Sequence, residues 1–212
     1  MKKSCLLLVS AIFLNLHLFA QIKDKDGPRL KIEMVVNNNK YLVTDGDSIQ
    51  IDGKKVVVHV SDLMTFDHGA LRFDYPRGFT FEFAEDYSYK QWILDGNGFI
   101  LMYFEFTADV GSDALIDEMV KKYGKKNCKL TDCKVTLGDT KLEGTRISVT
   151  LVGAQLTQDI YRLTTSDFKT HIIIFQDSKN DDGTDSAEYL AAMKIIGDTF
   201  TLKDRKSTRL NS

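Results

Sequence analysis

Cys128 and Cys133, in NCKLTDCK, are the residues with the most chemistry available to them, because the rest of the chain holds only one further cysteine, Cys5. In an oxidising compartment such a pair can close a small loop. Zinc would need two more ligands, and no histidine lies near in sequence. Redox pairs more usually carry two intervening residues than four. A structural disulfide ranks first, two free buried thiols second, and redox or metal chemistry third.

Three of the four histidines come next, His59, His68 and His171, the fourth being His17 in the N-terminal apolar run. Ser61, Asp62, Asp67 and His68 supply the residue types of a hydrolase triad. A nucleophile needs a base within hydrogen-bond reach and a third group behind that base, whereas Asp67 and His68, adjacent in an extended chain, point to opposite sides. No serine sits in a G-x-S-x-G elbow. His171 alternates with Ile173 and Phe175, which places it at the edge of an apolar face. The expectation is therefore structural histidines and no catalytic residue, with a hydrolase using His68 or His171 as the alternative.

For metal, SKNDDGTDSAEY (178–189) is the best candidate. Setting Gly183 on the invariant glycine of a calcium loop puts Asn180 and Asp182 at ligand positions, with Asp185 close by. Ser178 then replaces the first acid and Tyr189 the bidentate glutamate. An acidic solvated loop leading into a helix is the better reading, and a weak calcium or small-ligand module is kept as a further alternative. No Walker loop, G-x-G-x-x-G or H-E-x-x-H occurs, and no cofactor is expected.

Charge narrows the partners. The 28 basic and 30 acidic side chains leave a net charge of −2. Setting aside Lys2, Lys3, Arg205, Lys206, Arg209 and Asp204, in the two terminal segments, leaves 23 against 29, a net charge of −6. That is a poor match to nucleic acid. Lys121, Lys122, Lys125, Lys126 and Lys129 cluster where a helix is predicted to end, and cations there complement the helix dipole.

These residues must be positioned by elements the sequence also specifies. MKKSCLLLVSAIFLNLHLFA (1–20) has a basic start and a short apolar run ending at Ala20, the pattern of a secretory signal peptide. Asn15 and His17 interrupt the run, and no later stretch approaches the length of a membrane span. The expected location is periplasmic or secreted. DRKSTRLNS (204–212) has no apolar periodicity and reads as a non-native tail. Residues 21–67 read as a β-rich extension, with Asp52-Gly53 at a two-residue hairpin turn.

In RFDYPRGFTFEF (72–83), Tyr75-Pro76-Arg77-Gly78 is a turn signal. As a hairpin it pairs Phe73 with Phe81, Leu71 with Phe83, Arg72 with Glu82 and Asp74 with Thr80, separating an apolar face from a charged one. Arg77 is then left unpaired at the tip, a weak candidate for touching a partner. Trp92, with Tyr87 and Tyr89 nearby, is the second: an aromatic binding surface, or packing under a hairpin.

Asp95-Gly96-Asn97-Gly98 predicts another hairpin. The strand after it alternates Phe99, Leu101 and Tyr103 with Ile100, Met102 and Phe104, so both its faces are apolar and it belongs in the middle of a sheet; HIIIF (171–175) reads alike. SDALIDEMVKKYG predicts a helix with an apolar stripe of Leu115, Ile116, Met119, Val120 and Tyr123, capped by Ser112 and Gly124. DSAEYLAAMKIIGDTF predicts a second, with Asp185 and Glu188 resembling a capping box and Tyr189, Ala192, Met193, Ile196 and Phe200 on one face. Sequential antiparallel strands with one helix for each face imply an α+β, three-layer α/β/α sandwich over 68–203, with a central, mainly antiparallel sheet.

This element order, with DYPRGF opening the domain and IIGDTF closing it, resembles the PsbP-like fold family: photosystem extrinsic proteins, Ran-release factors and small bacterial envelope proteins. The resemblance covers about residues 68–203. It implies a non-enzymatic binding or assembly role, here with an envelope protein as partner, and it carries over no site residue.

Overall fold

The computed structural model describes residues 31–203; the expected signal peptide (1–20) and tail (204–212) lie outside them. Contacts divide the chain between Val60 and Ser61.

In the first unit, β1 (Lys31–Val36) pairs with β2 (Asn39–Thr44), and β3 (Ser48–Ile51) with β4 (Lys54–Val57). Both hairpins turn on two residues of positive φ. Asn37 and Asn38 stand at 49° and 65°, Asp52 and Gly53 at 49° and 76°. These are the residues that tolerate a type I′ turn.

The second unit is built on a seven-stranded antiparallel sheet in the order β10-β11-β12-β13-β9-β8-β7. Its strands are β7 (Thr80–Asp86), β8 (Tyr89–Asp95), β9 (Phe99–Phe106), β10 (Cys128–Leu137), β11 (Thr140–Leu151), β12 (Ala154–Leu163) and β13 (Thr170–Ser178). The doubly apolar strands β9 and β13 pair with each other inside it, as expected. Period-two alternation sorts their side chains. Leu101, Tyr103, Ile173, Phe175 and Tyr161 point into one core cluster, while Met102, Phe104, Ile172, Ile174 and Ile160 are buried on the other face.

Helix α1 (Ser112–Tyr123) packs on that other face, against β11 and β12, through Ile116 and Met119. Its Tyr123 hydroxyl accepts from Gln158 Nε2 at 3.4 Å. Gly111, not Ser112, occupies the N-cap, without a side-chain bond; Gly124 ends the helix at φ +84° as expected. Helix α2 (Ala187–Thr199) buries Ala192 and Ile196 in the core cluster, with Tyr189, Met193 and Phe200 beside them. Its cap is Ser186, whose Oγ accepts from Tyr189 N at 3.1 Å. Glu188 does not close a capping box. Its carboxylate accepts instead from the backbone N–H groups of Gly98 and Phe99, tying α2 to the β8–β9 turn.

The sandwich expectation holds in its coarser form: a large antiparallel sheet with two helices. The layer over the core cluster is not helical alone. Beside α2 lies a three-stranded sheet β14-β6-β5, formed by β5 (Leu63–His68), β6 (Leu71–Pro76) and β14 (Thr201–Leu202). It contributes Phe66, Leu71, Phe73 and Tyr75 to the core. β5 therefore belongs to this unit, and not to an extension reaching residue 67.

The same sheet overturns the hairpin register expected for 72–83. The turn is present, with Phe79 N–H donating to Pro76 O at 3.1 Å, but its arms enter different sheets. β6 pairs with β5, placing Phe73 opposite Phe66, and β7 pairs with β8, placing Phe83 opposite Trp92. Arg72 meets Asp67 at 3.3 Å instead of Glu82. The two motifs DYPRGF and IIGDTF do come together: Phe73 stacks on Phe200 at 6.3 Å, and Asp74 N–H donates to Thr199 Oγ1 at 2.9 Å.

Candidate functional site

Across the core side of the sheet runs a stack of four rings. His68 of β5 lies over Trp92 of β8 (5.8 Å, 21°), Trp92 over Tyr103 of β9 (5.1 Å, 21°), and Tyr103 over His171 of β13 (5.9 Å, 11°). The two histidines that could do chemistry thus stand at opposite ends of one stack.

At the inner end His171 is wholly buried. Its Nδ1 lies 2.7 Å from Tyr103 Oη and its Nε2 2.8 Å from Asp167 Oδ1. Ala70 N–H donates to Tyr103 Oη at 3.0 Å, and the Asp167 carboxylate can only accept, so Nε2 carries the proton it shares with Asp167. Burial pushes the Tyr103 hydroxyl well above its usual pKa. Burial also works against ionised Asp167, but hydrogen bonds from Thr165 and His171 outweigh it and hold the carboxyl below its ordinary value. Gly69 is required here: at φ +56°, a Cβ on it would stand 2.5 Å from Tyr103 Oη.

An aspartate behind a histidine is the orienting pair of a hydrolase, but a reacting group must be able to reach the other ring nitrogen. Here that nitrogen is held by a tyrosine that is itself wholly buried. Two hollows lie outside, of about 290 and 50 Å³, sharing Thr165 and Asp167 in their linings. Their cations are engaged: Arg162 with Asp109 at 2.6 Å, Lys169 with Glu105, and Lys203 with Asp67.

The outer end is open. His68 is exposed and touches Phe66 (5.0 Å) and Phe81 (5.6 Å) as well as Trp92. Phe81, Phe83 and Met64 remain 44%, 50% and 46% exposed. Phe81 and Phe83 lie on the edge strand of the large sheet, β7, where Phe81 reaches His68 at the end of β5, the edge strand of the small one; Met64 lies four residues further back along β5, beside Tyr75. Of the two readings of Trp92, a binding surface or packing under a hairpin, its burial fits the second. The ring is 5% exposed, covered by Phe83 at 5.5 Å. Tyr87 is exposed and Tyr89 buried.

The remaining candidates are not brought together. Cys128 and Cys133 are free thiols on one strand, β10, opposite Val149 and Gly144 of β11. Five residues along a strand span roughly 17 Å, far beyond the Cα separation a disulfide tolerates, and an odd spacing sends the two side chains to opposite faces. Burial pushes both thiols up.

In the acidic loop, Asp182 Oδ1 accepts from Thr184 N and Oγ1 (3.0 and 2.6 Å), Asn180 Nδ2 donates to Thr184 Oγ1 and Asp185 O (3.0 Å each), and Asp185 pairs with Lys179. These contacts turn the loop's oxygens inward, onto the loop's own donors and not toward one point. Arg77 is not unpaired at the tip. Its N–H donates to Asp62 O at 2.8 Å and its guanidinium lies 3.5 Å from Asp62 Oδ1. Ser61 Oγ accepts from Leu63 N and Asp67 pairs with Arg72, so neither serves His68. His59 lies 3.6 Å from Asp45 in the first unit.

Sequence reasoning missed two things. Asp167 and His171 carry a faint i, i+4 signal, but Tyr103, 68 positions away from His171, carries none. Phe81 and Phe83 alternate as a closed hairpin face would, and nothing local in the sequence marks them as surface.

No family model matches the chain, and no curated protein matches it in sequence. Among solved structures, it is similar to a protein of Bacteroides thetaiotaomicron VPI-5482 at a TM-score of 0.37 and 15% identity, over 65% of this chain and 46% of the other, so the chain spans less than half of that protein's length. It is also similar to LpqN of Mycobacterium tuberculosis, described as involved in cell envelope biogenesis, at a TM-score of 0.40 and 14% identity, over 66% of this chain and 90% of LpqN. Likeness at these scores fixes neither the fold nor the function of this chain.

Proposed function

We propose that the chain is an exported, non-enzymatic binding or assembly protein of the bacterial cell envelope. In this reading the second unit, from Ser61 to residue 203, is a PsbP-like α/β/α domain, delivered by the signal segment 1–20. One observation carries the binding half: the polar group best suited to catalysis is sealed inside the sheet, while an apolar surface of Phe81 and Phe83, beside His68, stays about half exposed. Exposed aromatics clustered at one place mark a contact surface more often than a random scatter. No described helix is long and apolar enough to cross a membrane.

The test places a photo-activated crosslinker at position 83 and, as control, at Phe168, which is fully exposed on the loop before β13. Irradiation in the native envelope should give a discrete protein adduct from position 83, and none of that size from 168. Adducts from neither position would overturn the reading.

A further inference from the structure

We propose that β7 takes up an extended segment of a partner protein as an added strand, and that this segment alternates apolar with cationic residues. The proposal rests on the binding reading above and names the partner's chemistry.

β7 ends the seven-stranded sheet, and no described strand pairs with its outer side. Natural edge strands are blunted by charge, above all lysine, and by proline, bulges or short length. β7, TFEFAED, has no lysine, proline or bulge: it runs for seven residues in unbroken register from Thr80 opposite Asp95 to Asp86 opposite Tyr89, and its one edge-guarding device is acidic charge, at Glu82, Glu85 and Asp86, which selects against like-charged strands and not against cationic ones. A row of backbone donors and acceptors is thus left for an incoming strand to complete, which is how sheets recognise extended peptides.

The two faces of β7 set what that strand must carry. Phe81 and Phe83 face the ring stack and stay about half exposed, so the incoming residues on that side should be apolar. Glu82 and Asp86 alternate onto the opposite face. Glu82 sits near Asp95, whose carboxyl is held above its usual pKa first by burial and then by the charges of Glu82 and Glu188. That side holds excess negative charge, and cations opposite it would be attracted.

The same charge argues against a second copy as occupant. β7 of another chain brings more Glu82, Glu85 and Asp86 and no cation of its own; like charges opposite one another destabilise a strand pair.

Trp92, the chain's single tryptophan, reports on the site because Phe83 covers it. Two synthetic nine-residue peptides of the same valine and phenylalanine pattern, one with lysine and one with glutamate at alternate positions, are titrated into the full chain. Trp92 fluorescence and amide exchange are followed. The lysine peptide should bind at least tenfold more tightly and protect the outward-pointing amides within Thr80–Asp86, the ones β8 does not already hold. The double variant Glu82→Lys, Asp86→Lys, altered only at exposed positions, should lose or invert that preference. Four results would each overturn the proposal: equal binding of both peptides, binding undiminished in Phe83→Lys, the outward-pointing amides of β7, those not donated to β8, already protected without peptide, or a concentration-dependent dimer abolished by Phe83→Lys. An envelope adduct from position 83 without peptide binding would leave the binding reading standing and remove the strand chemistry. Peptide binding without an adduct would do the reverse.

Discussion

The two ends of the ring stack receive the same kind of residue and make opposite use of it. His171, on a central strand, has each nitrogen matched and no exposed surface. His68, on an edge strand, is exposed and contacts its neighbours through its ring face. What separates them is strand position, not residue type. On a central strand most buried polar atoms find a partner, as both nitrogens of His171 do. An edge strand can leave both its rings and its backbone available.

The sharpest way to break this comparison is to remove one ring from each end. Tyr103→Ala deletes a wholly buried ring and should lower unfolding free energy by about 3–5 kcal/mol, the range for large aromatics in cores. Phe83→Ala, half exposed at the edge, should cost about 1 kcal/mol or less, since only part of its transfer energy is at stake. Paired urea titrations would show it. Equal losses would mean that β7 is as much core as β9.

A gentler cut at the inner end tests the polar network alone. Tyr103→Phe keeps the ring but leaves Ala70 N–H and His171 Nδ1 without their partner. An unsatisfied buried group costs about 1–3 kcal/mol, so the same titration should detect it. A neutral result would indicate that water or a rearranged His171 replaces the hydroxyl.

Acid should tell the ends apart as well. The Asp167 carboxyl is held below its ordinary value, against burial, by Thr165 and His171. A group depressed in the folded state adds stability above its unfolded pKa, about 3.9, and that stability is lost as pH falls through the folded value. Asp167→Asn should therefore flatten the acid limb of a melting temperature against pH curve below about pH 4. The substitution Phe83→Ala at the open end, which removes no ionisable group, should leave that limb as it was.

Much of this fold was legible because its signals are local. Asp52-Gly53 marks a type I′ turn, Gly124 ends α1, and the alternation in β9 and β13 places both strands in the middle of a sheet. What failed was nonlocal. Pro76 and Gly78 specify that the chain turns, but not which sheet each arm joins. Phe73 and Phe81 alternate well enough to face each other, yet Phe73 finds Phe66 and Phe200, contributed by segments before and after it. The cysteine spacing suggested a loop only so long as NCKLTDCK was not recognised as the start of a ten-residue strand. Glu188 fits a capping box by position and is drawn away by two backbone donors 90 and 89 residues distant.

The smallest effect is expected at the turn joining the two sheets, and it separates two accounts of that turn. If Arg77 held β6 to β5, its removal would loosen the small sheet. Its guanidinium meets Asp62 at 3.5 Å, with the aspartate side chain 96% exposed, and exposed pairs of this kind contribute about 0–1 kcal/mol. The contact that does fix the turn, Arg77 N–H to Asp62 O, belongs to the backbone and survives any side chain except proline. Arg77→Ala should thus change stability by no more than about 0.5 kcal/mol, while Arg77→Pro should cost measurably more by removing the donor. If both variants melted together with the parent, the β5–β6 junction would be held by Phe66 and Phe73 stacked at 4.8 Å, and the sheet would keep its place through its core face alone.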